Sequence, residues 1–256
     1  MKIYISVVSH GHEKLIMRLG FLAKLAKYES VVVIVKTNKA CSHDDFKKYC
    51  HSNSIVCLDE NYGLGFGENN NFVFGYCSKI GMDVEHDLFC VINPDVMIDE
   101  INTQRLLEYV KSKSFDAIAI NLYRDISMSL YDNSIRKFPS AYDFFSSFLF
   151  KVNKTIIDKS TISEPTVIDW AAGSFILFRS LVYADLSGFD ENYFMYCEDI
   201  DICYRLRKLR YSLTFVPCVH GVHLAEHANR RILSMHFYWH LKSVCRYLYV
   251  RTLQKG

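Results

Sequence analysis

The sequence has no Cys-x-x-Cys pair and no other cysteine spacing that suits a zinc site, although it carries nine cysteines, at positions 41, 50, 57, 77, 90, 197, 203, 218 and 245. They read as small buried hydrophobes of a protein in a reducing compartment. It also lacks any run approaching the roughly 20 apolar residues of a membrane-spanning helix; charges follow soon after even the aromatic stretch from Phe144 to Phe150. The opening MKIYISVVSHGHEK meets polar residues by Ser9, too early for a signal-peptide core, so no export is expected. Internal repeats and low-complexity tracts are missing as well. Net charge is small, with 30 Lys and Arg against 28 Asp and Glu.

What is present is hydrophobic residue over half of the 256 positions, enough to bury a core without a disulfide or metal. The bases are unevenly placed. After Asp201 come Arg205, Arg207, Lys208, Arg210, Arg230, Arg231, Lys242, Arg246, Arg251 and Lys255, against the single acid Glu226. Such a tail suits an anionic neighbour, either phospholipid or a phosphate-bearing substrate.

The run Ile3 to Val8, ending in Ser-His-Gly, reads as a buried parallel strand, and Glu13 to Lys27 repeats leucines at helical spacing. Strands at Ser30–Val35, Ser54–Leu58, Leu88–Ile92 and Ala117–Leu122 alternate with helices at Asp44–Cys50, from Asn71 onward and at Ile101–Lys113. This pattern predicts an α/β fold with a mostly parallel sheet flanked by helices, whose ligands bind beyond the carboxyl ends of the strands. Residues 123–163 are aromatic and irregular, and suit a segment covering substrate. An apolar strand ending at Phe178, a helix from Glu198 to about Arg210 and a strand Leu213–Val216 stopped by Pro217 complete a domain spanning residues 1–230. Residues 231–256 follow as a basic, aromatic helix, suited either to a membrane interface or to packing on the domain.

Asn93-Pro94-Asp95 puts a carboxylate just past a central strand, where it suits either a divalent cation bridging two phosphates or a turn capping the next helix. Glu198, Asp199 and Asp201 cluster where a helix begins, and the helix dipole is expected to keep Asp199 ionised. Asp199 is positioned to take a proton from an attacking hydroxyl, whereas Asp201 at i,i+4 from Arg205 reads as an ion pair. The loop NYGLGFGENNN, Asn61 to Asn71, is neither a Gly-Lys-Ser/Thr phosphate loop nor a GxGxxG fingerprint. Its glycines suit close backbone approach to a ligand and its asparagines offer paired donors and acceptors, though a turn opening a helix explains them equally. His220, His223 and His227 follow Pro217 without a nearby cysteine or carboxylate to complete a zinc site.

Taken in order, these motifs resemble the family 2 glycosyltransferases of the GT-A (Rossmann-like) fold, particularly the bacterial rhamnosyltransferases of O-antigen assembly. The resemblance runs from Ile3 to about His223 and is most specific in GFDENYFMYCEDIDICYRLRKLRYSLTFVPCVHGVH. It implies an inverting transfer with Asp199, aided by Glu198, as the catalytic carboxylate. Ser9, His10, Asn38, Gly65, Gly67, Asn70, Asn71, Asn93 and Asp95 are implied at the nucleotide sugar, and Trp170 and Gly173 at the acceptor. Asp95 and His223 are implied ligands of a divalent cation, Mg²⁺ or Mn²⁺.

The resemblance further implies dTDP-L-rhamnose as donor, with UDP- or GDP-sugars as the alternative, and a polyprenyl-diphosphate-linked saccharide as acceptor. A cytoplasmic location, peripheral on the inner face of the membrane, is implied too. Two departures stand out: Lys36-Thr37-Asn38 replaces an Asp-Asn that many relatives place after the second strand, and Asn93 replaces the first acid of Asp-x-Asp. A nucleotidyltransferase is excluded because no glycine-rich basic loop follows the first strand. A non-catalytic carbohydrate-binding module ranks lower, and no nucleic acid is expected, a solvated basic face being the commoner explanation of the tail.

Overall fold

The computed structural model describes residues 1–40, 44–150, 153–224 and 235–253. In chain order its first elements are β1 (Ile3–Ser9), α1 (Glu13–Leu19), α2 (Phe21–Leu25), β2 (Val31–Thr37), α3 (Asp44–Ser52), β3 (Val56–Leu58) and α4 (Phe66–Lys79). Next come β4 (Leu88–Ile92), β5 (Val96–Met97), α5 (Glu100–Ser112), β6 (Ala117–Tyr123), β7 (Ile135–Arg136) and α6 (Ala141–Phe150). The chain continues through β8 (Thr166–Ile168), β9 (Trp170–Ala171), β10 (Phe175–Arg179), α7 (Ser180–Asp185), α8 (Glu198–Lys208), β11 (Leu213–His223) and α9 (Met235–Leu253).

Eight strands lie in the order β3-β2-β1-β4-β10-β6-β11-β5, with β8 added along β11. β1 to β4, β6 and β11 share one direction, while β5, β8 and β10 run against it. The β-branched runs of β1 and β2 are buried on both faces, as strands of a covered parallel sheet must be. One apolar layer joins the sheet to α4, α7 and α8 through Val73, Cys77, Val182 and Leu206. The opposite layer joins it to α1, α2, α3 and α5 through Ile16, Phe21, Phe46 and Leu106. Tyr183 sits in the first layer with its ring 4.7 Å from those of Phe74 and Phe89, and its hydroxyl donates to Asn71 Oδ1 at 2.7 Å.

Three departures from the sequence reading have local causes. The helix expected from Glu13 to Lys27 breaks at Gly20, whose φ of 61° closes α1 in the left-handed region. Pro217 does not stop the last strand: β11 runs on to His223, and the register along β6 shifts between Val216 and His220, so the proline sits in an irregularity where no ladder donor is needed. Residues 123–163 contain β7, α6 and a short turn of helix at Lys159–Thr161. The eight described cysteines form no disulfide among themselves, and Cys218 and Cys245 are exposed where buried positions were expected; Cys41, His227 and the bases at 230, 231 and 255 lie outside the described residues.

Two glycines of α4 test this packing with opposite signs. A Cβ on Gly67 would lie 2.6 Å from the Cβ of Phe189, whereas one on exposed Gly75 meets nothing within 4 Å. Gly67→Ala is expected to lose about 1–3 kcal/mol and Gly75→Ala to gain about 0.5–1 kcal/mol, both measured by urea denaturation.

Candidate active site

The carboxyl ends of β1, β2 and β4 lie together at one edge, since Ser9 pairs with Thr37 and Val7 with Ile92. Ser9 is buried, donates to Glu13 Oε1 at 2.9 Å and receives the amide of His12; His10 beside it is exposed. Asn38 clamps the Gly/Asn loop to β2, its amide donating to Leu64 O at 2.8 Å while its oxygen receives Leu64 N at 3.0 Å. The hydroxyl of Thr37 donates to Asp59 Oδ1 at 2.7 Å.

The glycines and asparagines of that loop are engaged mainly with their own chain. A Cβ on Gly65 would come within 2.7 Å of Phe194 O, so the close approach expected toward a ligand is made to the segment preceding α8. Asn70 receives the Ser6 hydroxyl at 2.7 Å and donates to Phe66 O. Asn71 donates to Phe189 O at 2.8 Å and receives Phe189 N at 2.9 Å. These contacts fix α4 against β1 and against residues 189–194, and so set the floor of the site.

Asp199 opens α8 after two consecutive residues in the left-handed region, Tyr196 and Cys197, with φ of 71° and 63°. Such residues cost about 1–3 kcal/mol each and gather at functional sites. The half-buried carboxylate receives Gly173 N at 3.3 Å and Ile200 N at 2.9 Å. The two amides and the charge of Arg136 favour the ionised form expected at this helix start, while burial, the largest influence, pushes the Asp199 pKa above its ordinary value. Glu198 is buried, its Oε2 has no hydrogen-bond partner, and burial together with the Asp199 charge pushes its pKa up to about 8. Asp201 makes the expected pair, accepting from Arg205 Nε at 2.7 Å.

Of the two residues expected at the acceptor, Gly173 gives its amide to the Asp199 carboxylate, and Trp170 lies in β9 three residues before Gly173. Gly173 packs on Phe66, and buried Trp170 donates from Nε1 to Lys137 O at 2.9 Å with the Arg136 guanidinium 5.4 Å above its ring. The next residue, Ser174, receives the amide of Asn93 at 3.0 Å. Asn93-Pro94-Asp95 and Asp199 are thereby tied to adjacent peptide units.

Pairing of β5 with β11 then sets His223 opposite Val96 and puts its Nε2 3.5 Å from Asp95 Oδ1. The other nitrogen, Nδ1, meets Asp132 Oδ2 at 2.5 Å. Burial alone would lower the His223 pKa, but the Asp132 bond and the charges of Asp95 and Asp132 raise it. Buried Lys159 stands behind this group, donating to Leu122 O at 3.0 Å and Ser134 Oγ at 2.9 Å, and burial lowers its pKa to about 8. His220 instead packs its ring against Tyr123. Asp132, Arg136 and Lys159 all come from the irregular segment, where no motif or period marked them. A recess of about 580 Å³ between Phe21, Leu25, Met97 and Val222 contains none of these groups.

No protein-family profile matches the chain. It is 40% identical to rhamnosyltransferase WbbL of Escherichia coli K12 over 247 residues, 96% of this chain and 92% of that protein. The chain belongs to the rhamnosyltransferase family of glycosyltransferases. The transferase is also 28% identical, over 79% of its length and 69% of the relative's, to the N-acetylglucosaminyl-diphospho-decaprenol L-rhamnosyltransferase of Mycobacterium tuberculosis. Its fold is that of the GT-A glycosyltransferases: a mannosyltransferase from Pyrobaculum calidifontis, solved with GDP-Man and Mn²⁺, superposes at a TM-score of 0.56 with 13% identity over 90% of the transferase. The transferase spans 58% of that chain.

Two predictions follow from the carboxylates. Because folding raises the pKa of Glu198 from 4.5 to about 8, its contribution to stability is fully present below about pH 4.5 and is lost as pH rises through about 8. Glu198→Gln is therefore expected to flatten the fall in melting temperature between about pH 4.5 and pH 8. In Asp132→Asn the largest influence holding the His223 pKa up is removed, so its imidazole resonances should titrate at lower pH in NMR spectra of the metal-free protein.

Proposed function

We propose that the transferase moves L-rhamnose from dTDP-L-rhamnose, with inversion, to a saccharide carried on a polyprenyl diphosphate during surface-polysaccharide assembly. The work is done at the cytoplasmic face of the membrane. The observation that carries this reading is that adjacent residues hold both motifs: Gly173 gives its amide to Asp199, and Ser174 receives the amide of Asn93, two residues before Asp95. Kinship with a rhamnosyltransferase at 40% identity supports the sugar, and the diphospho-decaprenol relative supports the lipid-linked acceptor.

Asp199 takes the proton of the acceptor hydroxyl as that oxygen bonds to the anomeric carbon; the bond from the anomeric carbon to the nucleoside diphosphate breaks, and the electron pair leaves with the phosphate. One in-line attack inverts the configuration. A carboxylate whose pKa is pushed up by burial holds a proton better near neutral pH, as a general base requires. The Gly173 and Ile200 amides keep its oxygens aimed while it does so. Glu198, buried and with its pKa raised to about 8, stays largely protonated near neutral pH and leaves the base role to Asp199.

Asp95 and His223 fit a divalent cation, Mg²⁺ or Mn²⁺. Asp132 occupies Nδ1 of His223, which leaves Nε2 facing Asp95, and a carboxylate with an orienting imidazole is a usual partial set for such an ion. Among the described residues no group of three or more such side chains is gathered, and oxygens of the donor diphosphate would supply the remaining ligands. When bound, the cation supplies charge stabilisation to the departing diphosphate.

Asp199→Asn is expected to lower turnover by about 10²–10⁴-fold while leaving dTDP-rhamnose affinity in calorimetric titration nearly unchanged. Asp95→Ala should instead weaken donor binding in the presence of Mn²⁺. Wild-type turnover in the first variant, or an unaltered donor affinity in the second, contradicts the corresponding role. A calorimetric response to UDP- or GDP-sugars alone would keep the mechanism and replace the donor.

A further inference from the structure

The irregular segment contributes a helix, α6, with several large apolar side chains exposed among the described residues. On α6, Tyr142, Phe145 and Leu149 recur at helical spacing and are each more than half exposed. On α9, Tyr238, Leu241 and Tyr249 do the same. The two helices adjoin: the rings of Phe144 and Tyr247 lie 6.0 Å apart, and the Arg251 guanidinium donates to Pro139 O. Monomeric soluble proteins rarely leave aromatic rings exposed in neighbouring stripes without a partner for them.

The charge pattern and the location narrow that partner. No acid occurs from residue 227 to residue 256, and Lys242 is exposed within the α9 stripe. A twofold contact with a second copy would set these bases against themselves. Rings interleaved with bases suit the headgroup level of an anionic bilayer, where aromatic side chains settle and lysine reaches the phosphates. No described helix is long and apolar enough to cross a membrane, so the face would lie on the bilayer and not in it.

Both helices are anchored to the acceptor side of Asp199. α9 grips the segment leading into α8 through Arg246 Nε to Asp190 Oδ2 at 2.9 Å, Ser243 Oγ to Met195 O at 2.9 Å and Trp239 against Phe194 at 4.6 Å. The root of α6 is fixed where Trp170 Nε1 meets Lys137 O and where Phe138 N meets Asp169 Oδ2.

We propose that α6 and α9 form one face that seats the transferase on an anionic bilayer, with the acceptor side of Asp199 held against the lipid surface. This rests on the lipid-linked acceptor argued above and adds the surface that meets its membrane. A basic aromatic tail acting alone does not require α6; the two-helix face does.

The test is flotation of the full chain with vesicles of phosphatidylglycerol and phosphatidylethanolamine, and with phosphatidylcholine vesicles as the uncharged comparison. The expected result is binding to the anionic vesicles that weakens with salt, and at least about tenfold weaker partitioning for the pair Phe145→Ser with Leu149→Ser. Both positions are exposed and outside the catalytic groups, so transfer to a water-soluble short-chain acceptor should be unchanged. Lys242→Glu, a second and independent variant, should reduce binding to the anionic vesicles only. Wild-type protein that floats with neither vesicle overturns the proposal, as does binding that the α6 pair leaves intact. A dimer that the α6 pair dissociates, without flotation, overturns it in favour of a second copy. Flotation lost in the α6 pair, with no transfer to any lipid-linked acceptor by the wild type, would uphold the face and refute the acceptor reading separately.

Discussion

The peptide units of Gly173 and Ser174 hold the two chemical ends of the site in one frame. Gly173 gives its amide to Asp199, and Ser174 takes the amide of Asn93, two residues before Asp95. This is possible because β10 runs antiparallel to β4, with Phe175 opposite Ile92, so the turn entering β10 arrives beside the exit of β4. A parallel strand in that place would bring its opposite end to the edge. The requirement for glycine at 173 follows from the same closeness, since a Cβ there would lie 2.9 Å from the Phe66 ring.

Around this frame the electrostatics are divided between satisfied and unsatisfied acids. Asp201 is neutralised by Arg205, whose Nη1 and Nη2 also donate to Leu186 O and Gly188 O, and the pair locks α8 to the end of α7. Burial lifts Glu198 and Asp199 both, in Asp199 against the charge of Arg136. On the far side, Asp132 fixes the His223 ring while Lys159 satisfies the backbone that presents Asp132. An acid held by a cation, Asp201, and two acids lifted by burial, Glu198 and Asp199, thus open the same helix.

The order of strands and helices through Tyr123 was legible in the sequence because buried parallel strands and amphipathic helices have distinct periods. Asp199 and Asp95 were legible because each follows a recognisable break, the acidic helix start and the Asn-Pro turn. The Gly/Asn loop was visible as a motif, but the contacts that Gly65, Gly67, Asn70 and Asn71 make with β1 and residues 189–194 were not, because they join parts of the chain far apart in sequence. Residues 123–163 were opaque for a different reason. Asp132, Arg136 and Lys159 act through partners up to 91 residues away, as Asp132 does with His223, and no local period records such a pairing. The passage of β11 through Pro217 was hidden likewise, because the shift that accommodates the proline belongs to the pairing with β6.

The central claim is that strand pairing around the Gly173–Ser174 turn sets a cation and diphosphate end at Asp95 and His223 beside a base end at Asp199. Anomalous diffraction from crystals soaked with Mn²⁺ and the nucleoside diphosphate tests it most directly. The account predicts one manganese peak in contact with Asp95 and His223 Nε2, with diphosphate oxygens completing its shell and Asp199 left free of metal. A peak bound to Asp199, or one held away from both Asp95 and His223, would contradict it.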